Sequence, residues 1–253
     1  MKKVVLNIIA ITLLFASQIN SQQFSPGSPE WLVDMFFGKS SFPEKPNYYS
    51  GEMLNENNEP TIGEELNGEG EISFHQIKAT KDENVFAVEV KLENKIIDFY
   101  CYLLKQENVW KINAIRRFLL PHFIYIVRDS LSNLNSLSSN DSTFYISLKL
   151  FTMTDTDLKN HFNNNLNMFQ ELISDFNKEA SDEVDKDLAL VGCNAIYIDR
   201  KYPGCVFIQI LTFENMESGY IYATESARLP GITANDFIYI DEVVTGWFIF
   251  RSM

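Results

Sequence analysis

The sequence predicts an α+β protein: an N-terminal helix and a four-stranded antiparallel meander, then a second region of helices followed by another antiparallel sheet. Three observations carry this reading. Four strand-like runs, 71–78, 84–92, 96–104 and 109–117, follow one another with only short polar turns between them. Leu158, Phe162, Leu166, Phe169, Ile173 and Phe176 form one apolar stripe at helical spacing. After that helix come further strand-like runs at 188–198, 206–213, 219–223, 237–243 and 247–251.

In chain order, Lys2 and Lys3 precede an apolar run from Val4 to Ala16, and a short polar stretch leads to Ser21. Charge, apolar run and small residue are the layout of an export signal, and the run is shorter than the roughly 20 residues that span a bilayer. The expectation is a chain that starts near Gln22, has no membrane span, and works in a periplasm or outside the cell. Ser28-Pro29-Glu30 then supplies a helix cap, a proline for the first turn and an acid beside it. Trp31, Leu32, Met35 and Phe36 share one helical face, and Gly38 is a stop. Residues 39–71 read as a long loop anchored by Phe42, Tyr48, Tyr49, Met53 and Leu66.

In the meander, Phe86, Val88, Val90 and Leu92 alternate against Ala87, Glu89 and Lys91, while Trp110, Ile112 and Ala114 face one way against Lys111 and Asn113. The third run is apolar on both faces apart from Asp98, as in a strand covered on both sides. Past Leu120, Pro121 opens a helix to Leu134, and 132–142 reads as a linker. Residues 142–153 suit helix or strand. Asp155 or Thr156 caps a helix to about Asn177, and an acidic loop, 179–187, follows. The division is a leader, 1–21, an α+β unit, 22–120, and a second α+β unit, 121–253.

One helix followed by a meander that closes on Trp110-Lys111-Ile112-x-x-Ile115-Arg116 resembles the NTF2-like (cystatin-like cone) superfamily over residues 28–120. That resemblance implies a curved sheet wrapped around helices with a pocket inside. It maps no catalytic residue onto this chain.

Without residues 1–21 the chain has 19 Lys and Arg against 34 Asp and Glu, a net charge of −15. That field repels phosphate backbones and anionic lipid headgroups, which argues against nucleic acid as a partner. The 45% apolar content and 20 phenylalanines suffice for packed cores.

Asp98 is the carboxylate with a chemical reading. Buried, it would be a general base near neutral pH, with Arg116 as a pocket companion. The competing reading is a cross-strand pair with Arg116 or Arg117. Cys193 and Cys205 lie symmetrically about Asp199, so a hairpin there could bring them into a disulfide; two buried thiols are the alternative. Cys101 reads as core. His75 is a strand residue with a cavity as its alternative, and His161 falls on the polar face of its helix. The acids Asp182, Glu183, Asp185 and Asp187 lack the glycine and final glutamate of a calcium loop. Asp241 and Glu242 read as solvent-facing. Tyr220, Tyr222, Tyr239, Trp247, Phe248 and Phe250 are either a binding face or two faces of a covered sheet. No nucleophile, phosphate or cofactor motif is present. Two functions remain: a binding module for a small apolar ligand or a protein partner, or a pocket enzyme with Asp98 as base.

Overall fold

The computed structural model describes residues 24–93, 95–134 and 136–253; the expected leader lies outside them. Helix α1 (Pro29–Gly38) begins where the sequence says, with the Ser28 hydroxyl accepting from the Trp31 N–H at 3.2 Å. It buries Leu32, Val33, Phe36 and Phe37, a stripe displaced round the helix from the expected one. Two 3₁₀ turns and a short helix α2 (Ile62–Glu65) organise the loop that follows. A capping box starts α2: Thr61 accepts from the Glu64 N–H, and Glu64 accepts from the Thr61 N–H. The same carboxylate takes the Phe42 N–H at 3.0 Å and the Lys45 ammonium at 2.6 Å. Partial burial pushes Glu64 upward, but these donors and the Lys45 charge overcome it and hold the group at about 2.

The meander forms as one antiparallel sheet in the order β1 (Glu71–Ala79), β2 (Glu83–Leu92), β3 (Lys95–Gln106), β4 (Val109–Arg116). Its two faces meet different partners. Phe86, Val88 and Val90 of β2 and Phe99, Cys101 and Leu103 of β3 pack under α1. Val85 and Ala87, with Tyr100 and Tyr102, face the second half of the chain. The expected alternation of β4 breaks at a bulge: Tyr102 pairs with Ala114 but Leu103 with Ile112. The residue left over, Asn113, turns Ala114 to the face opposite Ile112.

Helices α3 (His122–Ser132) and α4 (Ser139–Phe151) follow, so residues 142–151 are helical and the expected linker is short. The long helix divides at Asn165 into α5 (Asp155–Asn164) and α6 (Leu166–Asn177), with Thr154 rather than Asp155 as its cap. The expected acidic loop is helix α7 (Ser181–Val191). Asp182 and Glu183 favour its N-terminus, while Val184, Leu188 and Val191 recur at helical spacing and are buried. Gly192 ends it at φ +73°, where an added Cβ would lie 2.6 Å from the Ile146 side chain. The run Leu188–Val191, apolar enough to read as strand, is therefore the last turn of a helix.

The second sheet has the order β5-β6-β7-β9-β8, from β5 (Ala195–Tyr197), β6 (Cys205–Phe213), β7 (Met216–Ala223), β8 (Phe237–Val244) and β9 (Trp247–Ser252). Its residues join α4–α7 and the inner face of the first sheet in one core that draws on both sides of residue 120. Tyr220, Tyr239, Trp247 and Phe250 lie in that core, at most 4% exposed, so the aromatic strands are not a surface. Among the described residues no helix is long and apolar enough to cross a membrane.

Candidate functional site

Asp98 stands on the inner face of β3, in register with Tyr100 and Tyr102, and points into the junction of the two sheets. It meets neither arginine that the sequence offered. Arg116 is cross-strand from Tyr100 and donates to the Ala234 carbonyl (2.7 Å) and to Glu52 (2.6 Å). Arg117 lies 5.9 Å from the Phe99 ring centroid. The cation near Asp98 comes from the far end of the chain. Arg251 of β9, 2% exposed, donates from Nε to Asp155 Oδ1 at 2.7 Å and from Nη2 to the Met153 carbonyl at 2.7 Å. Its guanidinium also covers the Phe118 ring at 4.6 Å.

Asp155 is the hub. Its carboxylate accepts from Arg251 and from the Tyr100 hydroxyl (2.8 Å), and its backbone N–H, at the start of α5, donates to Asp98 Oδ2 at 3.0 Å. Two carboxylates share one guanidinium, so with both ionised the cluster keeps an unbalanced negative charge out of water. The second carboxylate accordingly holds its proton: burial, then repulsion from Asp155, pushes Asp98 up to about 7, with Arg251 opposing. Burial and the Asp155 charge also push the Tyr100 hydroxyl well up. For Arg251, the Asp155 charge overcomes burial and holds the proton firmly.

A second polar group lies alongside. Tyr239 stacks on Tyr100 with centroids 5.0 Å apart, and its hydroxyl is 3.3 Å from Asp241. Asp241 pairs with His75 at 2.6 Å and Lys159 at 2.5 Å; burial would raise it, but these partners hold it below the usual range. So Asp241 is not solvent-facing, and His75 links the sheets. Cavities of about 70 Å³ and 100 Å³ flank Asp98, the first against Arg117, Phe118 and Arg251, the second against His75, Glu89 and Lys159.

The cysteines stay apart. Ala195 pairs with Gln209 and Tyr197 with Phe207, which centres the hairpin on Tyr202 instead of Asp199. Cys193 is therefore not opposite Cys205, and all three cysteines are free and buried. His161 is not on a bare polar face either: it is half-buried, with Nε2 3.0 Å from the Val191 carbonyl, and burial lowers its proton affinity. The acids of α7 are spread along a helix, and among the described residues no three metal-ligating side chains converge.

Sequence reasoning missed Asp155, Lys159 and Arg251. The signal that singled out Asp98, one charge in an apolar strand, is equally present in Trp247-Phe248-Ile249-Phe250-Arg251. Asp155 carries no such mark, because an acid at a helix start is ordinary.

Two surface features complete the inventory. Ten of the 13 large apolar side chains exposed among the described residues fall between Leu119 and Ile198, seven of them between Leu119 and Ile146. Helix α3 buries only Ile124 and leaves Phe123, Ile126 and Val127 outside. A groove of about 700 Å³ separates α7 from β5. No known protein family matches the chain, nor does any curated protein or any solved structure.

Proposed function

We propose that this chain is an exported, non-enzymatic protein-binding module that works through the helical flank of its second half. The observation that carries the reading is the concentration of exposed Leu, Phe, Ile and Val on 119–146 in a chain whose net charge is strongly negative. Scattered apolar residues are normal on a surface; a cluster on one helix pair is the mark of a contact face. A protein suits it better than a small apolar ligand, because the half-open cavities around Asp98 are polar and fall well short of the roughly 300 Å³ at which ligand pockets begin, and the larger groove beside β5 is an open cleft.

The test is a photo-crosslinking amino acid at Ile126, with Glu107 as a control position, in cells that produce the protein. A discrete adduct at Ile126, lost with Phe123→Asp, is the expected result; no adduct at any position on α3 or α4 would sink the reading. The intact mass of recovered protein checks export, since processing leaves a chain that starts near Gln22.

A second reading is the pocket enzyme with Asp98 as general base, favoured by a carboxylate raised to about 7 beside two cavities. Asp98→Asn separates the two: the binding reading expects crosslinking at Ile126 to be unchanged.

A further inference from the structure

Four strands end the two sheets, and three of them are guarded. β1 carries Glu71, His75 and Lys78. β4 carries Lys111 and Arg116 and is bridged by the preceding loop, where the Ser50 N–H donates to the Ile112 carbonyl at 2.9 Å. β8 carries Asp241 and Glu242. Charges and covering segments of this kind are how natural sheets keep their edges from pairing with other chains. β5 has neither: it reads Ala195-Ile196-Tyr197 and runs on into Ile198, 59% exposed. Among the described residues no strand lies on its outer side.

The space beside that edge is shaped and charged. The 700 Å³ groove has Val184, Leu188, Ile196 and Ile198 along it, with Glu179 and Asp185 exposed at its rim. Between Asp175 and Asp199 the chain carries seven carboxylates against two lysines, and Lys178 is already taken by Asp175 at 2.8 Å.

We propose that β5 accepts an extended strand from a partner protein, one in which bulky apolar side chains alternate with Lys or Arg. The inference rests on the protein-binding reading and adds to the α3–α4 face a second site with its own partner chemistry. The guest's main chain hydrogen-bonds to the free edge. Its side chains alternate with period two: the apolar set enters the groove against Val184, Leu188 and Ile196, and the long stems of the flanking Lys or Arg fold back over the strand to bring their charges to Glu179 and Asp185 at the rim of that groove. At about 3.3 Å per residue, Ala195 to Ile198 matches a guest of four or five residues.

The probes are acetyl-Lys-Val-Lys-Val-Lys-Val-amide, its glutamate counterpart, and the lysyl peptide N-methylated at alternate residues so that one strand edge loses its donors. The readout is residue-resolved amide exchange on the purified protein. The lysyl peptide should slow exchange at 195–198, bind at least about 10-fold more tightly than the glutamyl peptide, and weaken with added salt. N-methylation and Ile198→Lys should each abolish the protection, and Glu179→Lys with Asp185→Lys should remove the preference for lysine. No protection at 195–198, or equal binding of all three peptides, overturns the proposal. If it is overturned while Ile126 still crosslinks to a partner, the groove assignment alone has failed; loss of both removes the binding-module reading itself.

Discussion

The two faces of the first sheet solve the same packing problem by opposite means. Toward α1 the face is dry: Phe86, Val88, Val90, Phe99, Cys101 and Ile112 meet Leu32, Val33, Phe36 and Phe37 with no polar side chain among them. Toward the second half, the alternate positions of β3 are Asp98, Tyr100 and Tyr102, and each reaches a polar partner more than 50 residues away: Asp155, Asp155 again, and the Ile238 carbonyl at 2.7 Å. Apolar burial is non-directional, whereas hydrogen bonds to a buried charge fix both distance and angle. The dry face supplies cohesion, and the polar face fixes how the two sheets meet.

The largest effect should come from Arg251→Met. Methionine fills much of the volume but strands Asp155 in the core, at a cost of about 3–5 kcal/mol in urea unfolding. Arg251→Met combined with Asp155→Leu should recover a large part of that loss, because the uncompensated charge goes with its partner. If the single variant costs under about 1 kcal/mol, the polar face does not behave as a buried ion pair. Tyr100→Phe comes next. It removes one donor from the Asp155 carboxylate and keeps the stacking surface against Tyr239, so a loss of about 1.5–3 kcal/mol is expected.

The difference between the faces also explains how much of the molecule was legible in its sequence. Alternation in β2 marked the dry side of the meander, because burial on a strand leaves a period-two trace, and the continuous apolar run of β3 marked a strand covered on both faces. The helix at 181–191 was hidden, since its apolar positions are sparse and its last turn is continuously apolar. The polar face was legible in one half only. Asp98 announced itself as a charge in an apolar strand, but its partners sit 57 and 153 positions further along the chain, and no local rule connects Asp98 to Asp155 or Arg251. A short hairpin offset likewise decided the cysteines, because the turn is centred on Tyr202 and strand register is invisible in composition.

Asp98 has an ordinary value of 3.8 in the unfolded chain and about 7 in the folded one. Between those values the folded protein holds a proton that the unfolded chain has released, so this group's stabilisation is complete below pH 4 and is lost as pH rises through 7. Through this group, unfolding free energy should therefore fall by about 2.5 kcal/mol between pH 5 and pH 8. Asp98→Asn keeps an acceptor for the Asp155 N–H and carries no charge, so its profile should lose this fall and keep only the rise with pH that His161 contributes, because burial lowers that ring's proton affinity in the folded chain. Depressed carboxylates such as Glu64 and Asp241 act in the opposite sense and only in acid, where protonation releases their cations. A wild-type profile that runs parallel to that of Asp98→Asn between pH 5 and pH 8 would mean that Asp98 is ionised throughout and that Arg251 balances both acids.

The smallest expected effect belongs to the dry face, where Ile112→Val removes one methylene from a fully buried position under α1. It should cost about 0.5–1.5 kcal/mol. The titratable members of that cluster, Tyr49 and Cys101, are pushed far above neutrality by burial, so the cost should be the same at pH 5 and pH 8. Measured beside Asp98→Asn in the same buffers, it isolates what the polar face adds. If the Ile112→Val penalty itself changes with pH, the two faces are mechanically coupled through the sheet, and the division between cohesion and positioning fails.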